Sequence, residues 1–341
     1  MLPAISVIMP VRNGTKWLAE AVASVRAQEF GDFEFIIVDD GSDDGTAAML
    51  SAFAAGDRRI RPLRQALQGV VAALNTAIAA ARAPYLARLD ADDRAMPARL
   101  GKQFAFMHAH PEIGLLGTYA HVIDAAGNVT GRLAPPTDPA TLARVLERTN
   151  PFVHSSVMMR TTLVRRLGGY RATFRAAEDY DLWLRMAEVS SIANVPAYLT
   201  QYRQHDFNLS QRDAVRQSFS VRLAQRSAAG RRGGTGDPAA TLTAPPDWWA
   251  KEADTSFFSD QVALYRLLDS DALQGQPYVR AVSERFSRLN HVERRLAQIR
   301  LCVMLRDLGA SISLRHLWIA LLIAALHPGR ALGLLWRGGS R

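Results

Sequence analysis

Two hydrophobic periods alternate along the first 95 residues. Residues 5–9 (ISVIM) form a short β-branched run ending at Pro10. Over residues 14–28 the apolar positions change spacing, and Trp17, Leu18, Ala21, Val22 and Val25 fall on one face of a predicted helix. A second apolar run, residues 33–38, is too short for a helix and closes on Asp39-Asp40-Gly41-Ser42. Asp43, Asp44 and Gly45 then open a helix that is expected to run to about Ala55. Residues 60–63 predict a third strand, residues 70–81 an Ala-rich helix, and residues 85–89 a fourth strand running into Asp90. Strand and helix in turn are the signature of an α/β sheet covered by helices. Ligands of such sheets bind at the carboxyl ends of the strands. Those ends carry Pro10-Val11-Arg12-Asn13, Asp39-Asp40-Gly41-Ser42 and Asp90-Ala91-Asp92-Asp93.

The pattern then becomes mixed. A helix is expected from Pro97 to about Ala109, followed by strands over residues 114–123 and 128–133 around the turn Asp124-Ala125-Ala126-Gly127. Residues 155–160 predict another strand, residues 178–187 a helix, and residues 198–203 an extended segment. Gly, Pro, Ala and Thr dominate residues 229–246, and we place a linker over 211–249. Residues 250–341 are expected to be a helical C-terminal region. The catalytic portion is expected to be 1–210, with a nucleotide half to about residue 95 and an acceptor half from about residue 96.

Composition changes this picture in two respects. The single cysteine, Cys302, rules out an internal disulfide framework and any multi-cysteine metal site. With no basic stretch ahead of its first apolar run, the chain is expected to work in the cytoplasm. Charge is uneven as well. The chain holds 41 basic and 32 acidic residues, a net +9. Residues 211–341 hold 19 and 11 of these, or +8, which leaves +1 for residues 1–210. The basic half is suited to an anionic surface.

Asp90, Asp92 and Asp93 lie within four residues, and in an extended segment Asp90 and Asp92 point the same way. Converging carboxylates raise one another's pKa, and a hard divalent ion such as Mg²⁺ or Mn²⁺ relieves the repulsion while bridging phosphate oxygens. A solvated acidic turn is the alternative. Asp39 and Asp40 could accept hydrogen bonds from a base or ribose, or belong to the start of the next helix. Neither GxGxxG nor GxxxxGK[ST] occurs, which counts against a dinucleotide enzyme or a P-loop NTPase. Glu178, Asp179 and Asp181 could be first-turn acids of a helix or could include a general base. Arg88, inside a strand, could pair with a site carboxylate. His154-Ser155-Ser156 lacks the elbow of a serine nucleophile. Trp183 and Leu184 read as core beneath the acidic turn.

Four blocks in order, SVIMPVRNG, FEFIIVDDGSDDGT, YLARLDADD and AEDYDLWLRMAE, resemble the inverting glycosyltransferases of family 2 over about residues 4–210. The version ALA-ARG-LEU-ASP-ALA-ASP-ASP at residues 87–93 is similar to bacterial surface-polysaccharide members. The resemblance implies a GT-A fold, an α/β Rossmann-like, mixed, mostly parallel sheet flanked by helices. It implies a nucleotide-diphosphate sugar as donor, most simply a UDP-sugar, and a surface-glycan or polyprenyl-linked acceptor. It implies that Pro10 and Arg12 line the nucleotide pocket. Asp40 would contact the base with Asp39 beside it, and Asp90 would face the ribose or donor sugar. Asp92 would bind the metal, with Asp93, Asp90 and His205 as further contacts. Asp179 would be the general base, with Glu178 beside it and Asp181 as substitute.

Inverting transfer needs one base at the acceptor hydroxyl and one cation at the departing diphosphate, so the paired carboxylates of a glycosidase are not required. A nucleotidyltransferase and a non-catalytic nucleotide-sugar-binding or membrane scaffold are the competing readings. The first lacks its triphosphate loop, and the second would have no use for Asp92 and Asp179. Residues 317–326 are ten apolar residues ended by His327-Pro328-Gly329, half of what a spanning helix needs. With Arg315, Arg330 and Arg337 around them they suit either an interfacial helix on the inner face of the membrane or a helix packed on the protein. No nucleic-acid-reading motif is present.

Overall fold

The computed structural model describes residues 2–174, 176–205 and 214–245. The Cys302 position and the apolar run at 317–326 therefore lie outside the described residues, as does the whole predicted helical region from 250. The chain divides into two units, Met1–Asp213 with Ser220–Pro245, and Ala214–Phe219 with Pro246–Arg341.

The two hydrophobic periods of the first 95 residues become strand and helix in alternation. β1 is Ile5–Val11, α1 Leu18–Arg26, β2 Phe33–Asp40, α2 Thr46–Gly56, β3 Ile60–Gln65, α3 Val70–Ala80 and β4 Tyr85–Arg88. β1 pairs in parallel with β2 and with β4, and β2 in parallel with β3. Every residue of β1 and β2 is buried, which explains their unbroken apolar runs: helices cover both faces. Ile5, Val7 and Met9 pack with Leu18, Val22 and Val25 of α1 on one face. α3 lies against β1 and β2.

The second half closes the sheet from the other side. β5 is Arg94–Ala95, α4 Arg99–Ala109, β6 Ile113–Ile123, β7 Val129–Leu133, α5 Pro139–Leu146, β8 Met158–Arg160, α6 Thr161–Arg166, α7 Glu178–Ala187 and β9 Ser191–Arg203. Among the described residues the strands form one mixed sheet in the order β3-β2-β1-β4-β8-β6-β9-β5, and β7 pairs antiparallel with the end of β6 off this path. β8 runs antiparallel to β4 and β6, while β6 and β9 are parallel. Two expectations shift. The predicted strand at 155–160 divides into a 3-10 turn, His154–Ser156, and the three-residue β8. The extended segment at 198–203 is the end of a strand that begins at Ser191.

Over its described residues, 214–245, the predicted linker is structured. Helix α8, Ala214–Arg232, occupies its first half. Within the first unit, Arg231 grips Glu188 at 2.8 Å and Asp237 at 2.6 Å. Arg171 reaches the same Asp237 at 2.8 Å, and Thr173 donates to the Leu242 carbonyl at 2.7 Å. The Gly/Pro-rich composition is that of a turn held down by ion pairs.

Candidate active site

Strand order reverses between β1 and β4, because β2 and β3 continue on one side of β1 while β4 lies on the other. A crevice opens where connections leave a sheet in opposite directions. At that point β1 ends in Val11-Arg12, β2 in Asp39-Asp40, and β4 runs out at Leu89-Asp90. Pro10 is buried in β1 and Arg12 is exposed just beyond it. Asn13 takes a left-handed backbone at φ 53°, a conformation Asn tolerates better than most residues. Its backbone N–H donates to Ser42 Oγ at 2.9 Å and its amide to Asp43 at 2.7 Å, which ties the β1 and β2 loops together.

Asp39 and Asp40 have different surroundings. Asp40 accepts from the Gln65 amide at 2.9 Å and from the backbone N–H groups of Gln68 at 2.9 Å and Gly69 at 2.8 Å. Its carboxylate thus closes the turn that leads into α3. Asp39 accepts from Ser42 N–H at 2.9 Å through Oδ1, and its buried Oδ2 makes no hydrogen bond. Arg64 stands 3.6 Å from that oxygen. Leu67, half exposed, lies over Gly41, the glycine between Asp40 and Ser42, whose φ is 69°.

Oxygens of Asp90, Asp92 and Asp93 converge within 4.8 Å of one another. Arg88, buried in β4, grips both Asp90 oxygens in a fork. Ser155 bridges the two, accepting from Arg88 at 2.8 Å and donating to Asp90 at 3.1 Å. Asp92 meets His205 Nε2 at 2.9 Å, and the imidazole stacks on Trp17 at 4.3 Å. Asp93 is almost fully buried; it accepts from Arg203 N–H at 2.6 Å and leaves Oδ2 without a partner. Burial, and then the charge of Asp90, raises the Asp92 pKa; the histidine opposes this. Burial and its two acidic neighbours hold Asp93 well above the carboxylate range.

Arg203, fully buried at the end of β9, positions this loop. Its guanidinium donates to the carbonyls of Asp92 at 2.7 Å and of Asp124 and Ala125 at 3.1 Å, and it pairs with Glu20 at 2.6 Å. Sequence reasoning missed it. Its only signal was an arginine at the end of an otherwise uncharged strand.

The acids of α7 separate in the same way. Glu178 and Asp179, in its first turn, are half-buried. Asp179 accepts from its neighbour's backbone N–H, Tyr180, at 2.7 Å and from Asn150 Nδ2 at 2.7 Å. Burial raises its pKa, against the pull of those donors and of Arg88. Burial and the adjacent Asp179 charge push Glu178 up to about 8. Asp181 is fully buried between Arg171 and Arg185, whose Nε atoms lie 3.0 and 2.9 Å from it. It has no exposed surface. Asp181, expected as a substitute base, has its carboxylate occupied by these two arginines. Trp183 is core as expected, with no exposure. His154 donates to or accepts from the Tyr170 hydroxyl at 2.9 Å, and burial beside Arg88 depresses its pKa well below the usual histidine value.

Comparison with known proteins bears directly on this arrangement. Residues 6–168 match the family model "Glycosyl transferase family 2". The EpsE protein of Bacillus subtilis is 37% identical over 191 residues, covering 54% of this chain and 67% of EpsE. The O-antigen biosynthesis glycosyltransferase WbnJ of Escherichia coli is 31% identical over 210 residues, covering 60% of this chain and 82% of its own. Among solved structures, S. aureus TarS residues 1–349 in complex with UDP-GlcNAc superposes with a TM-score of 0.54 at 17% identity, covering 88% of this chain and 87% of that one. The mannosyltransferase PcManGT of Pyrobaculum calidifontis, in complex with GDP-Man and Mn²⁺, gives 0.53 at 18% identity, covering 99% and 88%. The two structures share the GT-A architecture, and the two sequence relatives carry the family. With relatives of this identity and coverage, and a sheet of the same architecture, the chain belongs to glycosyltransferase family 2.

Proposed function

We propose that this glycosyltransferase moves a sugar from a UDP-sugar to a surface-glycan or polyprenyl-linked acceptor by a single inverting displacement that depends on Mg²⁺ or Mn²⁺. One observation carries the reading: two acidic sets lie near one another. The Asp90–Asp92–Asp93 cluster is one and the half-buried Asp179 belongs to the other, close enough for the Asp90 charge to act on Asp179.

The donor set fits a hard divalent cation. It consists of carboxylate oxygens within 4.8 Å, and one of them, Asp93 Oδ2, is buried without a partner. Asp90 is already held by Arg88, so Asp92 and Asp93 would hold the ion, with His205 fixing Asp92. When bound, the ion supplies positive charge for the departing diphosphate. Asp39 offers the free buried oxygen suited to an imide N–H of a uracil ring, and Leu67 an apolar edge beside it. This moves base recognition from Asp40, whose oxygens serve the α3 turn, to Asp39. Asp179 takes the proton of the acceptor hydroxyl as that oxygen attacks the anomeric carbon from the face opposite the diphosphate.

The nucleotide and metal in the complexes of TarS and PcManGT support a nucleotide-sugar donor and a divalent ion here. The O-antigen role in the name of WbnJ supports a surface-glycan acceptor. The +8 of residues 211–341 supports work at an anionic membrane surface on the cytoplasmic side, where a lipid-linked acceptor would be presented.

The test starts by screening nucleotide-sugars with Mn²⁺ for thermal stabilisation. Turnover of the best donor is then compared between wild type and Asp179→Asn. The substitution should leave donor affinity near normal and lower turnover by about 10²–10⁴-fold. Undiminished turnover would remove Asp179 from the mechanism.

A further inference from the structure

Asn150 lies in the loop between α5 and the His154–Ser156 turn, immediately before Pro151. A following proline biases it toward extended backbone and away from helix, so the loop is preset. Its amide is oriented by two contacts. The carbonyl oxygen Oδ1 accepts from the backbone N–H of Phe152, two residues on, at 3.0 Å. This is an Asx turn, a local bond that asparagine makes readily. With the oxygen spent, the NH₂ group faces Asp179 and donates to Oδ2 at 2.7 Å. The reverse orientation would set a carbonyl against a carboxylate and two donors against each other. Phe152 is buried and rests against Gly117 of β6, where a Cβ would lie 2.6 Å from its ring. The Asx turn is thereby fastened to the sheet.

We propose that Asn150 is the positioning residue of the base: held by Phe152 N–H and by the proline after it, it fixes the Asp179 carboxylate and favours its charged form. The proposal rests on the role given to Asp179 above. Without this donor, one oxygen of Asp179 is free to rotate about the side chain, and only the Tyr180 N–H remains to hold the other. The remaining charges around Asp179 are Glu178 on its own helix and Arg88 and Asp90 from the β4 end, with the Tyr170 hydroxyl nearby. Asp90 opposes ionisation and Arg88 favours it, while Glu178, pushed up to about 8, is still protonated as Asp179 titrates. Asn150 acts in the same direction as Arg88 but carries no charge, so its contribution is local and little affected by salt.

The experiment is an NMR pH titration of the Asp179 carboxyl carbon, assigned by its loss in Asp179→Asn, in full-length wild type, Asn150→Leu and Asn150→Ala. It needs no substrate. Asn150→Leu should raise the Asp179 pKa by about one unit. Asn150→Ala, which admits water as a substitute donor, should raise it less. UDP affinity should stay unchanged in both variants, which separates the effect from misfolding. On the donor found by the screen, the acid limb of turnover should move up by the same amount. An Asp179 pKa unaltered in both variants would overturn the proposal. Full turnover in Asp179→Asn, with the titration shift intact, would instead overturn the assignment of the base and leave the Asn150 contact standing.

Discussion

Adjacent acids in this site differ in what their oxygens are already doing. Asp39 and Asp40 are neighbours at the end of one strand, both buried. Asp40 has three donors within 2.9 Å, two of them backbone N–H groups, whereas Asp39 keeps one buried oxygen free. Both oxygens of Asp40 are occupied by hydrogen bonds, whereas Asp39 spends one on the Ser42 N–H and has only Arg64, at 3.6 Å, beside the other. Asp40→Ala should therefore cost about 2–3 kcal/mol of stability, seen in urea unfolding, through the lost charge-assisted bonds. Asp39→Ala, which removes one backbone contact, should cost less, about 1 kcal/mol, and should weaken UDP binding by roughly tenfold or more. The reverse pattern would return base recognition to Asp40.

The N-terminal half of α7 carries both the proposed base and the residue that holds the helix in place. Glu178 and Asp179 are half-buried in its first turn. Asp181 turns inward to two arginines, one from the preceding loop and one a helical turn along. A buried carboxylate between two cations contributes little net stability, but removing it strands both cations. Asp181→Asn should cost about 3–5 kcal/mol, measured by urea unfolding, while the folded fraction keeps its turnover. An Asp181→Asn protein that is fully stable and inactive would contradict this division of labour.

At the scale of the molecule, the elements with regular periods were the legible ones. The four strands and three helices of the first 88 residues follow from unbroken apolar runs and 3.6-residue spacing, because that sheet is covered on both faces. Glu178–Ala187 was likewise legible as a helix. The acidic strand ends were legible as candidates because an α/β sheet exposes those ends to ligands. Tertiary partners were not. Arg203, Asn150 and Ser155 reach their targets across 110, 29 and 65 residues of chain, and no local pattern encodes such contacts. The same holds for residues 220–245, where composition indicated a linker but long-range ion pairs hold the segment down.

The charge asymmetry of the chain gives its own prediction. Among the described residues no helix is long and apolar enough to cross a membrane. The full-length protein should nonetheless float with anionic liposomes at low salt and partly dissociate as salt rises, at about 1 kcal/mol per basic residue near the surface. A chain lacking residues 311–341 should still bind nucleotide and should lose flotation. Full-length protein that stays unbound at low salt would contradict membrane attachment.

The central claim is that one acidic cluster couples a divalent ion to a nucleotide. Its most direct test is calorimetry of UDP binding with and without Mn²⁺, in wild type and in Asp92→Ala. The wild type should bind UDP markedly more tightly when Mn²⁺ is present, and Asp92→Ala should bind it with one weak affinity whether or not the ion is added. Equal enhancement by Mn²⁺ in both proteins would contradict the account.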